Sequence, residues 1–422
     1  MWITVRDGQG VHVGRTGTSP QLLRRTNTVA VLDVMRESGV VTVTELIEAT
    51  GLVRTTVIAV CDELLRTGWI EELEGASHAQ VGRPARRFRF RDRAGFVIGV
   101  DVGEVKTTAV VADLRGRVLG RTTRAFADPA PARRLATVDD AVDGALADAS
   151  VLPESVLAAA VGVAAPVDRG GRISHGQPFW AAFDLGLESR LQGRHGWPVL
   201  LANDANLAAM AERWRGVACG VDDLVVMLAG ERIGTGVMEA GRLLHGRSGA
   251  AGELGSLTLV EGVGSPDGIA ALCRAWGDEA VRHGAPETVL RELAGPSGTV
   301  GAEAVFRAAA VGDEVAQRIL DRLAERLARV IGLLGTLFDP ELVVVAGAVA
   351  ESAGVLLGRI EEQLPRFAAT PPRVAVSVLG EEVVSVGAVR LALDHVERHA
   401  LDLELLAARR EPDPDGAGSP RG

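Results

Sequence analysis

The stretch Leu201-Ala202-Asn203-Asp204-Ala205-Asn206-Leu207-Ala208 decides the class of fold, because an apolar strand ends here on an Asn-Asp pair and a helix follows directly. The first turn of a helix has unpaired N–H groups and a partial positive charge, so it holds an amide and a carboxylate at a rigid edge. Asn203 and Asp204 are therefore predicted to grip adjacent hydroxyl groups, such as those of a sugar, and in an enzyme Asp204 could deprotonate one. The alternative is that both residues only cap a helix starting near Ala205.

Outward from this stretch, residues 94–410 alternate between buried strands and Ala-rich helices, which predicts an α/β body. A long helix is expected over Val315–Leu337. The expected strands are Phe96–Asp101, Thr107–Asp113, Arg117–Arg124, Leu157–Val163, Val199–Ala202, Leu224–Leu228 and Leu342–Ala346.

Residues 19–93 predict a winged helix-turn-helix that binds DNA. Apolar residues recur at helical spacing from Pro20 to Gly39. Thr42 and Glu45 form a capping box that opens a helix over Val43–Thr50. Gly51 permits the turn into a third helix, from about Arg54 to Thr67.

The candidate DNA-contacting residues lie on this third helix and on a hairpin after it. Trp69–Leu73 and Arg86–Arg91 alternate as two strands, and Glu74–Ala85 between them forms the wing. The first turn of the helix is expected to face outward, with Arg54 and Thr55 contacting base edges. Arg83 of the wing and Arg86 and Arg87 of the following strand would instead position phosphates or enter the minor groove, unless they form only a solvated face. The full set is Arg54, Thr55, Thr56, Arg83, Arg86 and Arg87.

Composition limits where DNA could bind and where the protein resides. The 422 residues carry a net charge of -10, so a DNA contact must come from a local basic region such as Val81–Arg93. Three scattered cysteines and no apolar run of spanning length predict a cytoplasmic protein without membrane contact. Residues 1–18 are expected to be a flexible leader and residues 411–422 a disordered tail.

Four further motifs accompany the Asn-Asp pair in a fixed order. Gly99–Thr107 is a strand-turn-strand of small residues, Gly241–Gly246 and Gly249–Gly255 follow the pair, and Asp339–Val349 comes last. Together with the helix-turn-helix, this order resembles the ROK family of repressors, open reading frames and kinases. The resemblance extends from about Leu22 to Leu393 and implies a two-lobed actin-like body of the sugar kinase and Hsp70 type.

The resemblance also implies roles for single residues. Asn203, Asp204 and Glu253 match the sugar-hydroxyl contacts of the family, and Asp204 matches the base of its kinases. Gln177 stands where the family has an asparagine, upstream of Trp180.

Several departures from the family pattern weaken the case for catalysis. Glu104 stands where a second glycine is expected, and Gly230-Glu231-Arg232 replaces a Gly-Thr-Gly of the second phosphate loop. Both glutamates would repel a phosphoryl group. The residues Val263–Gly268 replace the cysteines of a zinc knot. The sequence therefore predicts no phosphoryl transfer from ATP, no metal and no cofactor.

The preferred interpretation is a transcription regulator, a repressor, whose degenerate kinase-like cleft binds a sugar or sugar-phosphate effector. A homodimer or homotetramer would place two recognition helices on an inverted repeat of double-stranded DNA. One alternative is an ATP-dependent sugar kinase with an N-terminal appendage. Another is a DNA-binding protein with a purely structural dimerisation body. The effector and the operator are left open.

Overall fold

A computed structural model of the chain describes residues 3–7, 10–14, 20–73, 85–128, 130–283, 288–295, 298–348, 350–403 and 405. The chain divides into two compact units, each treated by itself. The N-terminal unit comprises Met1–Phe96, Asp113–Arg117 and Leu393–Gly422, and the large unit comprises Val97–Ala112 and Val118–Ala392.

The N-terminal unit combines a short hairpin, three helices and a small antiparallel sheet in the strand order β3-β5-β4. Its elements are β1 (Ile3–Asp7), β2 (Gly10–Gly14), α1 (Pro20–Glu37), β3 (Val40–Thr42), α2 (Val43–Thr50), α3 (Arg54–Arg66), β4 (Ile70–Leu73) and β5 (Arg87–Phe90).

The predicted capping box at the start of α2 is confirmed. The Thr42 hydroxyl accepts the Glu45 N–H at 3.3 Å, and the Glu45 carboxylate accepts the Thr42 N–H at 2.7 Å. Gly51 ends the helix with φ +68°, a left-handed conformation that glycine adopts without strain. In contrast, α3 begins after Val53 without a side-chain cap. Both ends of α2 are thus set by local chemistry that is readable in the sequence.

Two strand features of this unit differ from the sequence expectation. The stretch predicted as a flexible leader contains the antiparallel hairpin β1–β2, with Ile3 paired to Gly14. Its sequence signal is two runs rich in β-branched residues, Ile3–Val5 and Val11–Val13, separated by a glycine-containing connection. Strand β3 was not expected, because three residues are too short to show alternation. The predicted wing tip, residues 74–84, and the predicted tail lie outside the described residues.

Residues 393–403 and 405 pack within the N-terminal unit, although the sequence predicted one continuous body over residues 94–410. The buried indole N–H of Trp69 donates to the Ala400 carbonyl at 3.0 Å. Arg36 on α1 forms an ion pair with Glu397, and their side chains are only 12% and 9% exposed. Such contacts join residues more than 300 positions apart, so no local pattern predicts them.

The described part of the large unit holds two five-stranded sheets, in the orders β10-β9-β6-β7-β8 and β13-β12-β11-β14-β15. Both mix parallel and antiparallel pairs, which confirms the predicted α/β class. The strands are β6 (Phe96–Val102), β7 (Lys106–Asp113), β8 (Val118–Ala125), β9 (Val156–Val163), β10 (Val199–Asn203), β11 (Leu224–Ala229), β12 (Ile233–Glu239), β13 (Arg242–Leu243), β14 (Leu342–Ala346) and β15 (Arg373–Val376). The helices are α4 (Pro131–Ala149), α5 (Pro178–Ala181), α6 (Leu187–His195), α7 (Asp204–Arg215), α8 (Ile269–Arg282), α9 (Leu290–Leu293), α10 (Ala302–Ala310), α11 (Glu314–Phe338), α12 (Ala350–Gln363) and α13 (Val383–Arg398).

The predicted elements of the large unit agree with the observed ones to within about two residues, as is usual for element ends. The strands β12, β13 and β15 were missed. Strand β12 contains Gly234 and Gly236, which interrupt the apolar run, and β13 and β15 are only two and four residues long. None of the helices in the described ranges is long and apolar enough to cross a bilayer.

Helix α7 is held by direct backbone packing at two glycines. A Cβ atom on Gly236 of β12 would lie 2.1 Å from the Ala205 carbonyl oxygen, and one on Gly387 of α13 would lie 1.9 Å from the Leu207 carbonyl oxygen. Both distances are far below van der Waals contact, so any side chain would displace the first turn of α7. This close packing fixes the place of Asn203 and Asp204.

The Arg36–Glu397 ion pair gives a test of the C-terminal packing. Glu397→Gln removes the charge of one of the two carboxylates that pair with the largely buried Arg36 guanidinium, Asp33 being the other. We therefore expect it to destabilise the N-terminal unit by about 1–3 kcal/mol. Hydrogen exchange of the α1 amides under native conditions measures the change. Glu37→Gln, at an exposed position at the end of the same helix, is the matched control. Equal exchange in the two variants would contradict a stabilising role for the pair.

Candidate functional site

A cavity of about 260 Å³ lies in the large unit and contains all four residues predicted to bind the ligand. Asn203 and Asp204 enter it from the end of β10 and the start of α7, and Glu253 and Gln177 enter it from loops. The hairpin turn after β6 and the residues after β11 and β14 complete its walls. The structure thus brings together residues that are up to 76 positions apart in the sequence, from Gln177 to Glu253.

Asn203 is buried and acts as the cap of α7. Its side-chain oxygen accepts the Asn206 N–H at 3.0 Å, and its amide nitrogen donates to the Ala165 carbonyl at 3.2 Å. The capping alternative raised by the sequence therefore describes a real contact of Asn203. These two hydrogen bonds orient the amide while one edge of the residue lines the cavity.

Asp204 is the first residue of α7, and its carboxylate accepts the Ala205 N–H at 2.8 Å. Burial raises the pKa of this carboxyl to about 7, and the nearby carboxylates of Asp101 and Glu253 add to the effect. Burial likewise raises the pKa of Asp101 to about 7, with Lys106 opposing the rise. At neutral pH both carboxyl groups are therefore poised between their charged and neutral forms.

Glu253 is placed by a tight loop that leaves no room for a side chain at Gly252. Gly252 has φ +87°, and a Cβ atom there would lie 2.5 Å from the Thr235 carbonyl oxygen. The Thr235 hydroxyl donates to the Gly252 carbonyl, so this threonine holds the loop. Burial raises the pKa of Glu253, and the positive charge of Arg232 opposes the rise.

The short helix α5, which follows Gln177, contributes two aromatic side chains, Phe179 and Trp180, that form an aromatic wall of the cavity. Phe179 and Trp180 are both half-buried and line the cavity. The guanidinium of Arg232 lies over the Phe179 ring, 4.8 Å from its centroid. Sequence reasoning named neither Phe179 nor Arg232 as a site residue. A Pro-Phe-Trp run is weak evidence of a site without knowledge of what it faces.

The two glutamates expected to repel phosphate differ in their surroundings. Glu231 is exposed, and its carboxylate pairs with Arg274 of α8, with 3.1 Å between Oε1 and Nη1. Its charge is therefore compensated, which weakens the expectation drawn from it. Glu104 is also exposed at the cavity, and its field acts on Arg134 and Arg274.

A buried arginine organises the loop over Val263–Gly268. The Arg326 guanidinium is almost fully buried and donates to the Val263 carbonyl at 3.0 Å and to the Ser265 carbonyl. The loop in turn pairs with the cavity wall, because the Ile233 N–H donates to the Pro266 carbonyl at 2.8 Å. The Arg326 side chain of α11 thus holds the loop and, through it, this part of the cavity wall.

The predicted DNA-contacting residues differ in their exposure. Arg54 and Thr55 are exposed in the first turn of α3, and Thr56 beside them is half-buried. Arg87 is exposed on β5, and Arg83 lies outside the described residues.

Arg86 does not match its predicted role of phosphate contact. Its guanidinium pairs with Glu72 at 2.8 Å and with Asp62 at 2.7 Å, and it lies over the Phe88 ring. Two carboxylates already offset its charge, so Arg86 ties α3 to the hairpin instead. The sequence could not show this, because Asp62 is 24 positions away.

Comparison with known proteins places the large unit in a family. Residues 97–395 match the ROK family. The glucokinase of Thermotoga maritima is 30% identical over 327 residues, which cover 71% of this chain and 98% of that enzyme. The glucokinase of Halalkalibacterium halodurans is also 30% identical, over 48% of this chain and 66% of that enzyme. The xylose repressor of Caldicellulosiruptor bescii is 22% identical over 79% of this chain and 86% of that protein.

Solved structures give the same assignment. A ROK family transcriptional regulator, a homolog of the E. coli MLC protein, superposes with a TM-score of 0.75 at 21% identity, covering 91% of this chain and 99% of that one. A ROK family glucokinase from Streptomyces griseus, in complex with glucose and AMPPNP, superposes with a TM-score of 0.62 at 29% identity, covering 71% of this chain and 100% of that one. The family match over residues 97–395 extends across more than half of the chain, and the chain belongs to the ROK family.

Proposed function

We propose that this protein is a DNA-binding transcription regulator, a repressor, whose cavity in the large unit binds a sugar effector. The observation that carries the proposal is the fusion of a helix-turn-helix arrangement, α2–Gly51–α3, to a sugar-kinase-like body on one chain. The fold likeness to the ROK regulator extends over 91% of the chain, whereas the likeness to the glucokinase extends over 71%. This difference supports a regulator, because the kinase fold accounts only for the large unit.

In this proposal the N-terminal unit is a winged helix-turn-helix. The recognition helix is α3, whose exposed first turn carries Arg54 and Thr55 for base edges, with Thr56 beside them. Arg87 and the predicted wing residue Arg83 supply phosphate or minor-groove contacts. A homodimer or homotetramer would match an inverted repeat.

The effector site is the cavity, with Asn203, Asp204, Glu253 and Gln177 as hydroxyl contacts. Carboxylates and amides accept and donate to neighbouring hydroxyls, while the aromatic wall covers the apolar face of a sugar ring. Closure of the body around the sugar would shift the equilibrium between DNA-binding and DNA-free states.

The second candidate is an ATP-dependent sugar kinase, and Asp204 is the observation that favours it. A carboxyl with a pKa near 7 at a helix N-terminus suits a general base at neutral pH. Against this candidate stands the segment Gly230-Glu231-Arg232, where Glu231 presents a carboxylate near the cavity even though Arg274 compensates its charge.

A coupled assay with ATP and a panel of hexoses separates the two candidates. The regulator proposal expects no phosphorylation above the rate without protein, because Glu104 places an exposed carboxylate at the cavity. Turnover that Asp204→Asn abolishes would overturn the proposal that the chain is no enzyme.

DNA binding is tested with duplexes selected from a randomised pool. Arg54→Ala should relax the sequence preference, whereas Arg83→Ala should weaken binding to every duplex and reduce the salt slope by about 1. Arg86→Ala is the matched comparison, because Arg86 pairs with Asp62 and Glu72 within the protein. This variant should leave the salt slope unchanged. Fluorescence anisotropy over a salt series measures all three. Unchanged preference and slope in both Arg54→Ala and Arg83→Ala would refute the assigned DNA face.

The raised pKa of Asp204 predicts how stability depends on pH in the unliganded protein. The folded pKa of about 7 lies above the ordinary aspartate pKa of 3.8, so the stability from the neutral carboxyl is full below about pH 4 and is lost as pH rises through 7. Asp204→Asn should therefore raise the melting temperature more at about pH 8 than at about pH 5. Asp140→Asn, at an exposed position of α4, is the control. A pH-independent difference between Asp204→Asn and the parent would contradict the burial of this charge.

A further inference from the structure

Most of the charged side chains that line the cavity are acidic. Their number matters because a ligand must offset whatever charge the protein itself leaves uncompensated. Two cations, Lys106 and Arg232, also line it. The acidic residues of the lining are Asp101, Glu104, Asp204, Glu231, Glu253 and Glu381.

Half of these carboxylates have a cation of their own. Glu381 forms an ion pair with Lys106, and Arg121 lies 3.6 Å from the same carboxylate. Glu231 pairs with Arg274. The positive charge of Arg232 favours the ionised form of Glu253 and so opposes the rise of its pKa. These pairs neutralise the rim of the cavity and one of its loops.

Of the other three carboxylates, Glu104 is exposed, whereas Asp101 and Asp204 lie where the end of β6 meets the start of α7 and are poorly solvated. Lys106 acts on Asp101, but it also pairs with Glu381. Burial raises the cost of ionising both carboxyls, and the Asp101 carboxylate lies close enough to Asp204 to raise the cost of ionising Asp204 further. A cation between two poorly solvated carboxylates stabilises both, whereas an anion there meets repulsion that water screens weakly. The acidic end of the cavity therefore favours positive charge in a ligand and opposes a phosphate.

The opposite wall suits the ring of such a ligand. Phe179 and Trp180 present half-buried aromatic surface to the cavity. Aromatic faces accept both the apolar side of a sugar ring and a nearby cation. The volume of about 260 Å³ fits a small ligand.

We propose that the effector is a sugar bearing a protonated amino group, which sits between Asp101 and Asp204 with its ring against Phe179 and Trp180. This proposal rests on the proposed function of the cavity as an effector site and narrows it. It excludes a sugar phosphate, which the sequence analysis had left open as one of the two kinds of effector.

Isothermal titration at about pH 7 and low salt, where the ion pair is least screened, tests the proposal with four probes: D-glucosamine, D-glucose, N-acetyl-D-glucosamine and D-glucose 6-phosphate. Glucosamine should bind at least about tenfold more tightly than glucose, and glucose 6-phosphate at least about tenfold more weakly. N-acetylglucosamine, which has the same nitrogen without the charge, should show no advantage over glucose.

Asp101→Asn should remove the preference for glucosamine while glucose still binds. Glu188→Gln, which replaces an exposed carboxylate of α6 outside the cavity, is the matched control and should keep the ratio. A second test uses only the parent protein, so it does not depend on whether the variant folds. Glucosamine binding should release protons from the two carboxyls, seen as a buffer-dependent heat, and glucose binding should release none.

The outcomes separate this inference from the proposed function. Equal affinity for glucosamine and glucose, or tighter binding of glucose 6-phosphate, would refute the amino-sugar effector while leaving a sugar-binding regulator. If none of the four probes bound while DNA binding persisted, the amino-sugar inference would fall together with the sugar-effector part of the proposed function, and the DNA-binding part would stand.

Discussion

The direct backbone packing of α7 is the constraint on which the rest of the large unit depends. Gly236 and Gly387 bring β12 and α13 against the Ala205 and Leu207 carbonyls, so the first turn of α7 cannot shift without opening the core. Asn203 then caps the helix through Asn206 and binds the Ala165 carbonyl. The cavity thus has a rigid corner, which is the part of a binding site that must be preorganised.

The charges around that corner decide what the cavity can hold. Asp101 and Asp204 share a poorly solvated region, and burial holds both pKa values near 7. The acidic loop residue Glu231, in contrast, is matched by Arg274. A sequence shows both kinds of carboxylate as equal negative charges. Only the partners distinguish a charge that is available to a ligand from one that is already compensated.

The same distinction applies to the N-terminal unit. Six arginines between Val81 and Arg93 predict one basic face. The structure shows that some of these arginines are paired within the protein. Arg86 pairs with Asp62 and Glu72, and Arg89 pairs with Glu71. Arg54 and Arg87 are exposed. The proposed DNA face therefore rests on fewer arginines than the sequence count implies.

The sequence by itself determined the features that local physics controls: the α/β class, the helix ends at Thr42 and Gly51, and the order of the motifs around Asn203. Capping, left-handed glycines and apolar periodicity act over a few residues and can be read directly. The tertiary structure decided the packing of Trp69 against Ala400, the partners of Arg86 and Glu231, and the loop tied by Arg326. These contacts join distant parts of the chain, and their energies depend on burial and partner geometry that no local pattern encodes.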